Sequence, residues 1–197
     1  MTITDPHRQI PDELQSTEFV LRPIRADDAA WDHAAVMDTR EYLRLWEQST
    51  WPEDDFTAEA NRVDLVDLEE RHAARRAYTY TVLNPDETQC WGCVYVFPTQ
   101  ATFLARSTVT PVGDRNWGEV DAVVYFWVRR PRMAAGMDER LLAELRAWFT
   151  NTWKLRQTVY VTHEQFAQQV ELIGRTDLEL EFELVEPGKP GRYLVFG

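Results

Sequence analysis

Glu119-Val-Asp-Ala-Val-Val-Tyr-Phe-Trp-Val128, Arg129-Arg-Pro-Arg-Met-Ala-Ala-Gly136 and the helical stripe from Met137 to about Trp153 decide the fold. The first piece is an apolar run of strand length. The last carries Leu141, Leu142, Leu145, Trp148 and Phe149 on one face, the spacing of an amphipathic helix. Between them lies a short basic turn that ends in glycine. A strand feeding a helix through such a loop gathers backbone N–H groups around a phosphate, because the first N–H groups of a helix lack partners and its dipole favours an anion. The stretch therefore points to a phosphate-bearing cofactor.

Upstream, Phe19-Val-Leu-Arg-Pro-Ile24 reads as a short strand after an irregular lead-in over residues 1–17. Asp27 or Asp28 then caps a helix through Trp31, Ala34, Ala35 and Met37, and a second helical piece holds Tyr42, Leu45 and Trp46. Glu53-Asp-Asp55 suits the positive start of another helix, which ends near the basic cluster Arg71 to Arg76. Ala77 to Leu83 and Cys90 to Phe97 form a hairpin about the Asn84-Pro-Asp-Glu87 turn. Pro98 to Gly118 reads as a long connection with an extended piece around Phe103 to Val109.

Downstream, Gln157 to Thr162 is a strand and Glu164 to Ile173 a helix, with Phe166, Val170 and Ile173 inward. Leu178 to Leu184 alternates as a strand with one wet face, and Arg192 to Phe196 closes the chain after a Pro/Gly turn. The strand 119–128, its helix and the strand 157–162 make a right-handed parallel crossover. The expected fold is α/β: a mixed central sheet of about 6–7 strands with helices on both faces, in a single domain over residues 18–197.

Composition narrows the function. The 197 residues are 44% hydrophobic with eight Trp, which sets aside disorder. A net charge of −12 argues against nucleic acid, whose binding is dominated by Lys and Arg on phosphates, and against an anionic membrane surface. It keeps the chain soluble; alternatively, it would attract a cationic acceptor such as an amine. The first residues lack the apolar run of a signal peptide, and nowhere do about 20 apolar residues follow one another as a membrane span requires. Two cysteines make no disulfide framework, so a cytoplasmic protein is expected.

Cys90-Trp-Gly-Cys93 has the spacing of a redox or zinc pair. A redox thiol sits at a helix N-terminus, however, and this pair lies in a strand, where positions i and i+3 face opposite ways. A zinc site needs two further ligands, and the four histidines are scattered. No metal is expected. The reading is of core cysteines, with Gly92 admitting a close neighbour.

The order of elements, together with Phe19-Val-Leu-Arg-Pro-Ile-Arg-Ala-Asp-Asp28, Cys90-Trp-Gly-Cys-Val-Tyr95 and the strand–loop–helix at 119–149, resembles the GNAT superfamily of acyl-CoA-dependent N-acyltransferases. Trp51-Pro-Glu-Asp-Asp55 and Phe126-Trp-Val-Arg129 look most like an uncharacterised bacterial branch of it. The resemblance implies acetyl-CoA or another acyl-CoA as cosubstrate, a small-molecule or peptide amine as acceptor, direct attack, and exposed strand edges that pair into a homodimer. It places the pantetheine along Phe126, Trp127 and Val128. The diphosphate falls to Arg129, Arg130, Arg132, Met133, Ala134, Ala135, Gly136, Met137 and Asp138. It assigns a cofactor contact or proton transfer to His163.

Against the superfamily's phosphate loop, Gly136 fits, whereas Met133 stands where a cation is usual and Asp138 where a small residue is usual. An Asp138 carboxylate in the first helical turn repels a diphosphate unless it turns aside to cap the helix or the arginines offset it. Glu119 and Asp121 share a strand face with Val123 and Tyr125. The resemblance offers Glu119 first, then Asp121, as general base. The acid the family keeps before its terminal glycine is matched by Val170, which cannot donate; Tyr125 and Tyr160 are candidates by proximity of their elements, and core aromatics otherwise. Trp31, Trp46 and Trp51 fall in the region that shapes the acceptor pocket. The expected activity is transfer of an acetyl or short acyl group to an amine; the alternative is a catalytically silent protein that binds acyl-CoA or another protein.

Overall fold

The computed structural model describes Ile3 and residues 5–197. The strands are β1 (Leu14–Gln15), β2 (Val20–Pro23), β3 (Tyr78–Leu83), β4 (Cys90–Phe97), β5 (Thr108–Pro111), β6 (Ala122–Val128), β7 (Thr158–His163), β8 (Leu180–Val185) and β9 (Tyr193–Phe196). The helices are α1 (Ala29–Glu47), α2 (Ala58–Ala73), α3 (Thr102–Arg106), α4 (Arg130–Met133), α5 (Met137–Asn151) and α6 (Ala167–Gly174). The strands form one nine-stranded mixed sheet in the order β1-β2-β3-β4-β6-β7-β9-β8-β5. The expected fold class holds, with more strands than the 6–7 expected.

The extra strands lie at the edges. β1 arises inside the lead-in, at Leu14–Gln15, and pairs with β2, and Tyr80 donates to Pro11 O at 2.8 Å. The extended piece expected around Phe103 to Val109 is a short helix, α3, followed by β5, which pairs antiparallel with β8. The two helical pieces expected before Trp51 are one continuous helix, α1.

β6 shows why the sheet is covered on both faces. All seven of its residues are buried. Ala122, Val124, Phe126 and Val128 pack with Leu141, Leu145 and Trp148 of α5. Val123, Tyr125 and Trp127 pack on the other face with Val36, Leu43 and Trp46 of α1. An alternating strand with apolar residues at every position needs an apolar layer on each side.

Two glycines carry backbone demands. A Cβ on Gly92 would lie 2.2 Å from Trp127 O, so only glycine lets β4 approach β6 there. Gly136 takes φ +71°, the left-handed conformation that turns the chain from α4 into α5.

The cysteine pair departs from the expected geometry. Between Leu83↔Cys90 and Val82↔Gly92 the register skips Trp91, a bulge that brings both thiols to one face. Cys90 Sγ and Cys93 Sγ lie 3.6 and 3.7 Å from Asp32 Oδ1, and Asn61 donates to Asp32 Oδ2 at 2.9 Å. Burial raises the pKa of both thiols, so neither is an activated nucleophile.

Candidate active site: a splayed strand, a filled cleft and an aromatic cavity

β6 and β7 pair in parallel only through Ala122↔Thr158, Val123↔Val159 and Val124↔Tyr160. Beyond these pairs the strands separate, while β6 stays paired to β4 up to Gly92↔Val128 and β7 to β9 up to His163↔Tyr193. Tyr125 to Val128 therefore border a wedge that opens toward the N-terminus of α5.

Side chains of the protein fill that wedge. Gln169 on α6 is 3% exposed and donates from Nε2 to Phe126 O at 2.8 Å. Its Oε1 is buried without a partner. The neighbouring Gln168 donates to Asp138 Oδ2, and Asp138 Oδ1 accepts the Glu139 N–H at 3.1 Å. Phe166 packs against Tyr42 of α1 with ring centroids 5.5 Å apart. A cavity of about 10 Å³ remains among Thr39, Met133, Asp138, Phe166, Gln168 and Gln169, room for no more than one water.

The basic turn is equally occupied. The N–H groups of Arg132, Met133, Ala134, Ala135 and Gly136 all bond to carbonyls between Arg129 and Met133, because the turn winds into α4. Arg129 grips Asp38 through Nε at 2.8 Å, Arg130 reaches Glu41 at 3.3 Å, and Arg132 lies over the Trp91 ring at 3.7 Å. Of the N–H groups expected to form a cradle between Phe126 and Asp138, those from Arg132 to Gly136 are bonded within the turn in this structure.

His163 has both ring nitrogens engaged. Nδ1 accepts the Gln165 N–H at 3.1 Å, which leaves the proton on Nε2 to donate to Pro190 O at 3.0 Å. Burial lowers its pKa. It locks the turn between β7 and α6 against β9 and stands against the Tyr193 ring edge-on at 4.8 Å.

The three expected catalytic residues do not share one hollow. Glu119 ends a single 3-10 turn, Trp117–Glu119, rather than starting the strand, and its carboxylate accepts from Gln157 Nε2 at 3.3 Å. Asp121 accepts the N–H groups of Arg156 and Gln157 at 2.7 and 3.1 Å and so fixes the entry to β7. Both border a depression with Gln100 and Arg156.

Tyr125 instead borders a cavity of about 500 Å³ on the α1 face of the sheet. Six further aromatics wall it: Trp46, Trp51, Tyr95, Phe97, Phe103 and Tyr193. Of Trp31, Trp46 and Trp51, expected to shape an acceptor pocket, Trp46 and Trp51 line this cavity; Trp31 is 41% exposed and does not. Among the described residues Tyr125 Oη has no hydrogen-bond partner, and burial raises its pKa, so it keeps its proton.

Sequence reasoning missed Glu186 and Lys189, which line the same cavity from the β8–β9 turn. Burial raises the Glu186 pKa, only partly offset by Lys189. Lys189 binds Glu47 at 2.7 Å and Glu186 at 3.2 Å; burial alone would lower its pKa, but Glu47 outweighs that and raises it. Nothing in Glu186-Pro-Gly-Lys189 beyond a turn signal marks this role.

A single mixed sheet with helices on both faces, opened by one splayed parallel pair with a strand–turn–helix at the opening, is a GNAT-like fold. Solved structures agree. The chain matches a ribosomal-protein-S5-alanine acetyltransferase from Vibrio fischeri at 16% identity over 93% of this chain and 94% of that one, with a TM-score of 0.66. It matches the ribosomal L7/L12 alpha-N-protein acetyltransferase RimL in complex with coenzyme A at 15% identity, 95% of each chain and 0.66. It matches Mycobacterium smegmatis RimJ in complex with CoA-disulfide at 17% identity over 90% of this chain and 80% of that one, with 0.65. At such identities the likeness concerns the fold. No protein-family profile matches the sequence, and no curated protein does.

Among the described residues no helix is long and apolar enough to cross a membrane, and no group of three or more His, Cys, Asp or Glu is placed to hold a metal.

Proposed function

We propose that this protein is an acyl-CoA-dependent N-acyltransferase for a peptide or small-molecule amine, with side chains of its own, Gln168 and Gln169, latching the donor cleft. One observation carries the reading. The splay of β6 from β7 persists, and an amide of the chain's own Gln169 occupies the Phe126 carbonyl that an amide of pantetheine would otherwise meet. The neighbours solved with coenzyme A support the donor, and those named for ribosomal L7/L12 support a protein or peptide amine.

Magnitudes allow the latch to open. A neutral hydrogen bond contributes about 0.5–1.5 kcal/mol net and one to a carboxylate about 1.5–3, so the two glutamine contacts hold roughly 2–4.5 kcal/mol. A micromolar ligand supplies about 8 kcal/mol. Binding survives, weakened by about 30- to 2,000-fold.

In this reading the thioester carbonyl lies against β6, where a strand N–H stabilises the developing oxyanion. The amine enters from the aromatic cavity. Glu186, its pKa raised by burial, takes the amine proton, and Tyr125 returns one to the leaving thiolate. Glu119 and Asp121, first in line as bases from the sequence, act here only on the turn before β7.

A second reading rests on Asp138 and the five engaged N–H groups: the fold is kept as a silent module that binds no acyl-CoA. Thiol release from acetyl-CoA across an amine panel separates the two. Amine-dependent release that falls in Glu186→Gln, but not in Glu119→Gln, supports the enzyme. The absence of both release and thermal stabilisation by acetyl-CoA leaves the silent module.

A further inference from the structure

The aromatic cavity does not end at its own walls. Arg71, Phe97, Phe103 and Glu186 also border a second, larger hollow of about 800 Å³. Its lining carries Arg71, Arg75, Arg76 and Arg106 against only Asp67 and Glu186, a net charge of +2. On a chain of net charge −12 that shelf is a reversal of sign.

The four arginines differ in how they are held. Arg71 pairs with Asp67, and Arg75 donates to Pro6 O and Arg8 O, each at 3.0 Å. Arg76 and Arg106 are exposed, and among the described residues neither side chain has a hydrogen-bond or ion-pair partner. They project from different parts of the chain, the turn after α2 and the end of α3, and converge on one groove. Two unpaired guanidinium groups beside an apolar hole are complementary to a ligand with an apolar head and an anionic tail.

We infer that the amine acceptor is the N-terminus of an acidic peptide segment. Its first, apolar or aromatic side chain enters the cavity walled by Trp46, Tyr95 and Phe103. The acidic residues that follow lie along Arg75, Arg76 and Arg106. The inference rests on the acyltransferase reading for the role of the amine, but the recognition itself needs no donor. Carboxylates of a peptide pair with guanidinium forks in the planar geometry both prefer.

The test is binding without acetyl-CoA. Hexapeptides labelled at the C-terminus, Phe-Ala-Glu-Asp-Glu-Asp, Phe-Ala-Gln-Ser-Gln-Ser and Phe-Ala-Lys-Arg-Lys-Arg, are titrated by fluorescence polarisation at low salt. The acidic peptide is expected to bind about tenfold or more tighter than the neutral one, with the basic one weakest. Arg76→Glu with Arg106→Glu removes that order, and Ala in place of the first Phe weakens the acidic peptide. Equal binding of acidic and neutral peptides, or an order untouched by the charge reversals, overturns the inference. So does competition by inorganic polyphosphate as strong as the peptide's own binding with no contribution from the first residue. Failure of acyl transfer alongside the expected binding order refutes the enzyme and leaves the recognition standing. Transfer to amines with no acidic preference does the reverse.

Discussion

Replacing Asp138 by Asn removes one charge and almost no volume from the mouth of the donor cleft. The side chain is 5% exposed in the first turn of α5, with Gln168 on one oxygen and the Glu139 N–H on the other. Asn keeps an acceptor for the N–H, and a flip of the Gln168 amide restores the second contact, so folding stability should change by less than about 1 kcal/mol. Donor binding should change more. A diphosphate at this helix start brings negative charge within about 5 Å of the carboxylate. One such pair costs about 1.5–3 kcal/mol at an effective dielectric of 20–40. Asp138→Asn is therefore expected to tighten acetyl-CoA binding roughly ten- to a hundredfold. The gain should shrink as salt rises, since ions screen the repulsion it relieves. Calorimetric titration at 20 and 300 mM salt, beside urea denaturation of both proteins, measures each quantity. Unchanged or weaker acetyl-CoA binding in a variant of undiminished stability would refute the placement of the diphosphate at this helix.

Gly92→Ala should destabilise the fold by about 3 kcal/mol or more, because its Cβ meets a backbone oxygen at 2.2 Å and overpacking of this kind moves strands; a urea midpoint within error of wild type contradicts that close approach. His163 contributes a pH dependence of known sign. Burial holds its folded pKa below the ordinary 6.5, so its stabilising share is complete above pH 6.5 and is lost as pH falls through the folded value. His72, also lowered by burial, acts in the same window. Urea midpoints between pH 8 and 5.5 should therefore drop less steeply in His163→Asn than in wild type, and identical slopes would remove His163 from the account.

Much of the scaffold was legible because it is local. β6 and α5 announce themselves by an unbroken apolar run and a helical stripe, and Gly92 was read correctly as room for a neighbour. β5 was not legible as a strand. Its residues are mostly exposed, so no alternation marks them, and its partner β8 lies some 70 residues away. The cysteines misled because a bulge, which depends on pairing with β3, cancels the simple two-residue period.

The site was harder to read than the fold. Helical spacing from Glu164 put Val170 inward; α6 begins instead at Ala167, and Gln169 and Leu172 take the inner face. A buried glutamine is tolerable only because its amide finds Phe126 O, a partner 43 positions away that no local pattern reveals. The arginines of the turn looked like phosphate ligands, yet Asp38 and Glu41 on α1 hold two of them, again a matter of tertiary approach. Tyr125, offered only by the proximity of its strand, lines the aromatic cavity, whereas Glu119 was placed by strand alternation that does not extend into its 3-10 turn.

Acetyl-CoA affinity of the wild type against a Gln168→Ala/Gln169→Ala double variant, both measured by calorimetry, probes the latch most directly. Removing the two amides empties the wedge between β6 and β7 and deletes the contacts to Phe126 and Asp138. The double variant is predicted to bind at least about thirtyfold tighter than wild type, with heat of binding abolished by excess free coenzyme A. A folded double variant that binds acetyl-CoA no better than wild type, or not at all, would show that the wedge is core rather than a closed donor site.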